Sequence, residues 1–243
     1  MMDKPFKPSN LFSSLLKLTE NFISVPECFV CGKTSGKREM KMNYLCMDCW
    51  FAAPFAIDSA EVYNQLVRNF KENELAVSNA FALLKMREDS RYMELIYALK
   101  YYGFRKTGFD LGRELGRMIM EQGTSDCSLI IPVPIHSARM RERGFNQSET
   151  IARGISAAMH IPFESKLLIR KKYTTTQTML KKEERKKNVT GVFTMQSDKS
   201  IIEGKRILLV DDVLTSGSTI NSAAKCLIEN GALSIDSATL VVA

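Results

Sequence analysis

Apolar residues in the first half of the chain recur mainly at the spacing of helices. In residues 10–23 they form one stripe, which predicts a short amphipathic helix. The same reasoning predicts further helices at 60–70, 91–100 and 111–120, one or two strands within 74–86, and a loop at 103–108.

From residue 128 onward, short apolar strands alternate with helices. Strands are predicted at 128–134, 206–212 and 234–243, and helices at 148–159 and 218–231, with Ser148 as the N-cap of the first of these helices. Alternation of this kind is typical of a parallel sheet covered by helices on both faces. The sequence therefore predicts an α/β fold.

Two acids stand at the carboxyl end of the apolar strand 207–210, where open parallel sheets place their ligands. Asp211 and Asp212 follow the four apolar residues directly. Adjacent carboxylates are costly to bury, and their side chains point to opposite faces of a strand. We expect one of them to hold structure while the other contacts a ligand.

A loop of small hydroxyl residues around a glycine follows the acids and opens into the next helix. Backbone N–H groups at a helix N-terminus bind anions, the glycine permits close approach, and the hydroxyls add donors. An ordinary N-cap needs only one hydroxyl, so the pattern favours a phosphate monoester. A Walker A loop is excluded because no lysine follows the glycine, and no GxGxxG is present. The loop consists of Thr215, Ser216, Gly217, Ser218 and Thr219.

Segment 207–219 resembles the 5-phosphoribosyl-1-pyrophosphate (PRPP) signature of type I phosphoribosyltransferases: four apolar residues, two acids, two apolar residues and a Thr/Ser-rich loop. The resemblance implies that Asp211 and Asp212 hold the ribose hydroxyls and that residues 215–219 hold the 5-phosphate. It also implies that Mg²⁺ bridges the pyrophosphate and ribose hydroxyls of the ligand. In a catalytic protein the two acids would stabilise positive charge at ribose C1 as pyrophosphate leaves.

Two further segments stand where this superfamily carries ligand-binding loops. Segment 130–147 takes the place of the pyrophosphate loop, with a solvated arginine loop as the alternative. Segment 170–193 takes the place of the mobile catalytic loop, in which Arg185 is expected to act in catalysis; a solvated surface hairpin is the alternative. In the first segment the expected ligand contacts are Pro134, Ile135, His136 and Arg143, with Arg139 and Arg141 near the departing pyrophosphate.

Taken together, the motifs resemble one family, ComF (competence protein F). They occur in the order of that family and extend over nearly the whole chain. A small departure is that His136 is followed by Ser-Ala, where the family often has more basic residues. The motifs are the paired CxxC, LKYYG at 99–103, PVPIH at 132–136, RGFNQ at 143–147, TTTQ at 174–177 with Arg185 and Asn188, and VDDVLTSGST at 210–219.

Resemblance to ComF implies a zinc-bearing N-terminal knuckle and a type I phosphoribosyltransferase domain. It further implies a cytoplasmic role in handling single-stranded DNA during natural transformation, with a helicase-like competence ATPase as a partner. No sequence for the hood of many salvage enzymes follows the last strand, which argues against a base substrate. A catalytically active salvage phosphoribosyltransferase and a non-enzymatic PRPP-sensing module stay open as alternatives.

Four cysteines have the spacing of a metal site rather than of a disulfide framework. Cys28 and Cys31, then Cys46 and Cys49, form two CxxC pairs separated by fourteen residues. Four thiolates favour a closed, structural zinc site, with an iron–sulfur site and a redox pair as alternatives. Basic and aromatic residues around the pairs allow nucleic-acid binding; packing of the aromatics onto the main domain is the other interpretation.

The length of 243 residues and a hydrophobic content of 45% allow one sizeable domain with a small appendage. We expect the helix and knuckle at 1–57 and the phosphoribosyltransferase-type domain at 58–243. The net charge is +7, and segment 135–190 alone carries thirteen Lys and Arg against five Glu, which indicates contact with phosphates. No stretch approaches the roughly 18 apolar residues of a membrane span, and no leader pattern is visible. We therefore expect a cytoplasmic protein, with the inner face of the cell membrane as a second location.

Overall fold

The structure is a computed structural model that describes residues 26–34, 36, 39–71, 73–87, 90–123, 126–171, 191–196 and 198–243. The chain forms two compact units, Met1–Ala52 and Ala53–Ala243. The helix expected at 10–23 lies outside the described residues, and the domain division expected at residue 57 stays a prediction. Among the described helices, none has both the length and the apolar character needed to cross a membrane.

The first unit contains a short antiparallel hairpin and one helical turn. Strand β1 (Met40–Met42) pairs with β2 (Leu45–Cys46), and helix α1 (Met47–Phe51) follows at once. Cys46 caps this helix, because its sulfur accepts a hydrogen bond from the N–H of Cys49. The hairpin and the helix thus place the second cysteine pair at a chain reversal.

The second unit is built on a four-stranded parallel sheet in the order β3-β8-β7-β4. Each pair of neighbours runs parallel, as the sequence predicted. The residues of β7 from Ile207 to Val210 are fully buried, which explains their uninterrupted apolar run. Its strands are β3 (Asn79–Lys85), β4 (Leu129–Pro132), β7 (Arg206–Leu214) and β8 (Ser234–Val242).

Helices flank this sheet and form its core with it. Ile207 and Leu209 of β7 belong to one buried cluster with Leu66 and Leu227 from two of the helices. Leu208 and Val210 alternate with them and point to the other face. The helices are α2 (Ser59–Val67), α3 (Met93–Tyr101), α4 (Arg105–Gln122), α5 (Ser137–Arg143), α6 (Gln147–Met159) and α7 (Ser218–Glu229).

Helices α4 and α6 pack with their backbones in contact. A Cβ on Gly112 would lie 2.3 Å from the carbonyl oxygen of Ile151, and one on Gly154 would lie 2.1 Å from that of Phe109. Only glycine allows such an approach at either position. The prediction of a loop at 103–108 is wrong from Arg105 onward, because α4 begins there and Gly108 is a packing residue within the helix.

A small antiparallel pair lies outside the main sheet. Strand β5 (Leu168–Arg170) pairs with β6 (Phe193–Met195), and a 3₁₀ turn at Lys199–Ile201 leads into β7. The two strands bound the basic segment expected to form a catalytic loop. Residues 172–190, including Arg185, Asn188 and the TTTQ motif, lie outside the described residues.

Candidate ligand site at the carboxyl end of β7

Asp211 is held by two hydrogen bonds to the same carboxylate oxygen. The hydroxyl of Ser148 donates to Oδ1 across 2.9 Å, and the backbone N–H of Asp212 donates to it across 2.9 Å. Ser148 lies in the first turn of α6, so the packing of α6 sets the position of this carboxylate. The sequence assigned Ser148 to the N-cap, which is wrong, because Asn146 caps the helix.

Asp212 forms an ion pair with a residue of a different helix. The Nζ atom of Lys100, near the end of α3, lies 3.0 Å from Oδ2 of Asp212. The two side chains are only 20% and 15% exposed, so solvent screens the pair less than it would a surface pair. This contact was not predicted from the sequence, in which Lys100 stood out only as part of LKYYG.

The surroundings of Asp211 favour its protonated form. Burial raises the pKa of Asp211 to about 7, and the charge of Asp212 adds to this effect. The hydrogen bond from Ser148, the N–H of Asp212 and the charge of Lys100 oppose it. The acidic pair therefore holds one carboxyl group that changes its charge near neutral pH.

The hydroxyl loop is positioned by a glycine that has no room for a side chain. Gly217 has a φ of +74°, and a Cβ there would lie 2.0 Å from Cδ1 of Leu66 in α2. Helix α7 begins at the next residue, and the hydroxyls of Ser216 and Ser218 lie 3.0 Å apart. The first N–H groups of a helix lack intrahelical partners, so this loop presents donors suited to a phosphate group.

The segment after β4 begins beside the acidic pair, since β4 and β7 are neighbours in the sheet. The N–H of Val133 donates to the carbonyl of Val210 across 2.8 Å, and Pro134, Ile135 and His136 follow, all partly buried. The Nδ1 atom of His136 accepts from the N–H of Ala138 at 3.2 Å. Part of the segment predicted as a loop is helix α5, for which His136 is the N-cap.

Asn146 ties this segment to α6. Its side-chain amide donates to the carbonyl of Val133 across 3.0 Å, while its oxygen accepts from the N–H of Ser148 across 3.2 Å. The RGFNQ motif also fixes Arg143, whose guanidinium donates to the amide oxygen of Gln147 across 3.1 Å. The sequence singled out Asn146 and Gln147 as parts of a motif but assigned them no contacts.

Residues 211–219 are therefore joined by one strand and loop, and the segment 133–136 starts on the adjacent strand. The roles assigned from the sequence to Asp211, Asp212, the loop and Arg143 stay predictions. Arg185 lies outside the described residues. Ser148, Lys100 and Asn146 join the site through tertiary packing.

One family model matches the part of the chain that carries the acid pair and the hydroxyl loop. The family model described as "Phosphoribosyl transferase domain" matches residues 146–243, from the N-cap of α6 to the end of β8. "Competence protein F" of Haemophilus influenzae is 37% identical over 98 residues, which are 40% of this chain and 43% of that protein. "Competence protein ComFC" of Bacillus subtilis is 36% identical over 114 residues, 46% of this chain and 44% of that protein.

Over the matched residues the chain is similar to competence proteins and to the phosphoribosyl transferase domain. A third relative, "DNA utilization protein YhgH" of Shigella flexneri, is 35% identical over 106 residues, 44% of this chain and 45% of that protein. The chain thus matches less than half of the length of these curated relatives.

Solved structures also match the chain. One is titled as the allosteric regulatory enzyme of purine biosynthesis: 22% identity, 54% of this chain and 25% of that chain, and a TM-score of 0.36. Another is a hypoxanthine phosphoribosyltransferase from Staphylococcus aureus: 15% identity, 57% of this chain and 64% of that chain, and a TM-score of 0.35.

The first unit of the chain brings the cysteines of the two CxxC pairs together. The sulfur atoms of Cys28, Cys31, Cys46 and Cys49 lie within 4.8 Å of one another. A tetrahedral zinc ion with bonds of about 2.3 Å places its sulfur ligands about 3.8 Å apart. Cys31 and Cys46 have their sulfurs 3.9 Å apart, so the donor set fits zinc in size and chemistry.

The environment of Cys28 favours a ligand thiolate. Burial opposes ionisation, but hydrogen bonds from the backbone N–H groups of Cys46, Cys31 and Val30 lower the pKa of Cys28 to about 7. Cys28 and Cys46 are buried, as expected for a closed site.

Proposed function

We propose that this chain is a member of the ComF family and that it binds PRPP at the carboxyl end of β7. The observation that carries the proposal is the continuous run from the acid pair to the loop around Gly217, which leads directly into α7. Asp211 and Asp212 accept hydrogen bonds from the ribose hydroxyls, and the loop Thr215–Thr219 donates to the 5-phosphate. The segment Pro134–His136 and Arg143 would face the pyrophosphate, since that segment starts on the strand next to β7.

Mg²⁺ fits this site as a companion of the ligand. Carboxylate oxygens are the donors that Mg²⁺ prefers, but one oxygen of each acid already contacts Ser148 or Lys100, and the proposal assigns the other to the ribose hydroxyls. The oxygens of the pyrophosphate and of the ribose would therefore hold the ion. It would neutralise charge on the pyrophosphate, while the chain orients the ribose.

Calorimetric titration of PRPP with Mg²⁺ into the full chain tests this proposal. The double variant Asp211→Asn with Asp212→Asn should lose most of the PRPP affinity. Asp126→Asn is the matched control, because Asp126 pairs with Arg206 at the opposite end of β7. Unchanged PRPP affinity in the double variant would overturn the assignment of the site.

Catalysis is measured separately from binding. Release of pyrophosphate from bound PRPP in the presence of a panel of bases would identify a transferase, including a nucleotide-salvage enzyme. Tight PRPP binding without release in any base would favour a sensing module.

We further propose that the chain acts in DNA uptake by handling single-stranded DNA in the cytoplasm, next to a helicase-like competence ATPase. Support comes from relatives named for competence and DNA utilisation, and from the basic segment 135–190. The expected affinity for single-stranded DNA falls steeply with salt, because lysine–phosphate contacts release counterions. It should weaken further when Lys181, Lys182, Lys186 and Lys187 become Ala; an affinity indifferent to salt would contradict this role.

A further inference from the structure

Three tyrosines lie exposed on helix α3 and at its end. Tyr97 is 39% exposed, and Tyr101 and Tyr102 are each 62% exposed. The rings of Tyr97 and Tyr101 are 6.2 Å apart and tilted by 41°. Tyrosine rings left this open present flat faces for contact with another molecule.

One arginine lies beside the ring of Tyr101, and a second arginine follows Tyr102 by three residues in the chain. The guanidinium of Arg143 lies 5.5 Å from the ring centre of Tyr101. Arg105 lies 4.7 Å from the ring centre of Phe145 and donates to the carbonyl of Gly144 across 3.2 Å. We call Tyr97, Tyr101, Tyr102, Arg105 and Arg143 the α3 surface. It combines open aromatic faces with cations whose positions are fixed by the chain.

This combination matches the chemistry of single-stranded nucleic acid. Unpaired bases stack on aromatic rings, and arginines bind the phosphates between them; duplex DNA hides its base faces and offers only the phosphates. Tyrosine and arginine are also enriched in protein interfaces, so a protein partner is the alternative that the test below must separate. We propose that the α3 surface binds single-stranded nucleic acid by stacking bases on Tyr101 and Tyr102.

The α3 surface is connected to the proposed PRPP site through a neighbouring residue. The inference rests on the DNA-handling role proposed for the chain. Lys100, next to Tyr101 in the chain, forms the ion pair with Asp212. A strand stacked on Tyr101 therefore lies one residue away from a contact of the acidic pair. Because coupling between two ligands is reciprocal, Mg²⁺–PRPP should change the affinity for the strand, and the strand should change the affinity for PRPP by the same factor.

Fluorescence anisotropy with a labelled oligothymidylate of about 12 nucleotides tests the proposal on the full chain. Tyr101→Ala with Tyr102→Ala should weaken binding by about 30-fold or more, since each of the two stacked bases contributes about 1–3 kcal/mol and about 1.4 kcal/mol is a factor of ten. Tyr101→Phe with Tyr102→Phe keeps both rings and should bind like the parent. Phe51→Ala is the comparison for a site in the knuckle, because Phe51 is an exposed aromatic residue of the first unit.

The outcomes separate this inference from the proposed function. If the parent binds the oligonucleotide and the double alanine variant binds it equally well, the α3 surface is not the site, and a protein becomes the remaining partner for it. If duplex DNA competes as well as the single strand, stacking is refuted. If the parent binds PRPP but no oligonucleotide, both this inference and the DNA-handling role fail while PRPP binding stands.

Discussion

The ammonium nitrogen of Lys100 lies 3.0 Å from a carboxylate oxygen of Asp212, joining the end of α3 to the end of β7. Both groups are largely shielded from solvent. Removal of one member of a shielded pair leaves the other charge without compensation, and that costs more than the pair itself contributes. This contact therefore links the stability of the fold to the site.

Lys100→Met should lower the free energy of unfolding by about 2 kcal/mol, less than for a fully buried pair because some solvent reaches both groups. Lys85→Met is the matched control, since Lys85 pairs with Glu61 and both side chains are more than half exposed. That change should cost under about 1 kcal/mol. Urea unfolding measures both values, and equal losses would refute the special weight given to Lys100.

The stability of the chain should depend on pH through Asp211. Its pKa is raised from the ordinary 3.8 to about 7, so the folded chain holds this proton more tightly than the unfolded chain. The resulting stabilisation is complete below about pH 4 and is lost as pH rises through about 7. The free energy of unfolding of the parent, relative to Asp211→Asn, should fall by about 1–4 kcal/mol between about pH 5 and pH 8.

Urea unfolding of both proteins across this range measures the difference and cancels the effects of other groups. A difference that stays constant or rises with pH would contradict the raised pKa. PRPP affinity should change in the opposite sense and strengthen as pH rises, because an ionised carboxylate accepts hydrogen bonds from ribose hydroxyls better than a protonated one.

Gly217→Ala should reduce PRPP affinity by about tenfold or more, equal to about 1.4 kcal/mol. The new methyl group would overlap Leu66 and force the loop away from its position. Gly204→Ala separates the two causes: Gly204 also has a positive φ, +65°, but nothing lies within 4 Å of its added Cβ. The control should lose about 1–2 kcal/mol of stability and keep its PRPP affinity. Equal PRPP affinity in both variants, measured by calorimetry, would argue against a phosphate site in this loop.

The purified chain should contain one zinc ion, and Cys46→Ser should remove it. Cys46 is 5% exposed and lies among the other three sulfurs. Cys226→Ser is the matched control, because Cys226 lies outside this cluster. Elemental analysis measures the metal, and visible absorption distinguishes zinc from an iron–sulfur cluster. Full zinc content in Cys46→Ser would exclude the proposed ligand set.

The parts of the site that the sequence predicted are contiguous in the chain. Ile207–Val210, the two acids and the loop around Gly217 follow one another, so the order of residues alone indicates a strand, a turn and a helix start. The parallel sheet was confirmed for a similar reason, since alternating strands and helices leave few other arrangements.

The contacts made by helix packing were not predictable in this way. Ser148 and Lys100 reach the acids from helices far away in sequence, and periodicity says nothing about such partners. Gly108 was assigned to a loop because glycine disfavours helices, but it lies inside α4 against Thr150 of α6. Tertiary packing overrode local propensity there. The N-cap was misplaced because Asn146 and Ser148 are both good caps, and only the contact of Asn146 with Val133 distinguishes them.

The backbone contact between α4 and α6 has a mechanical consequence. At Gly112 and Gly154 no side chain of these residues separates the two backbones, so α6, which carries Ser148, is held closely against α4. On the other side of the acids, α3 reaches the site through a single long lysine side chain. The two acids should therefore respond differently when a ligand enters. Asp211 keeps its partner Ser148, whereas Asp212 can exchange its flexible partner Lys100.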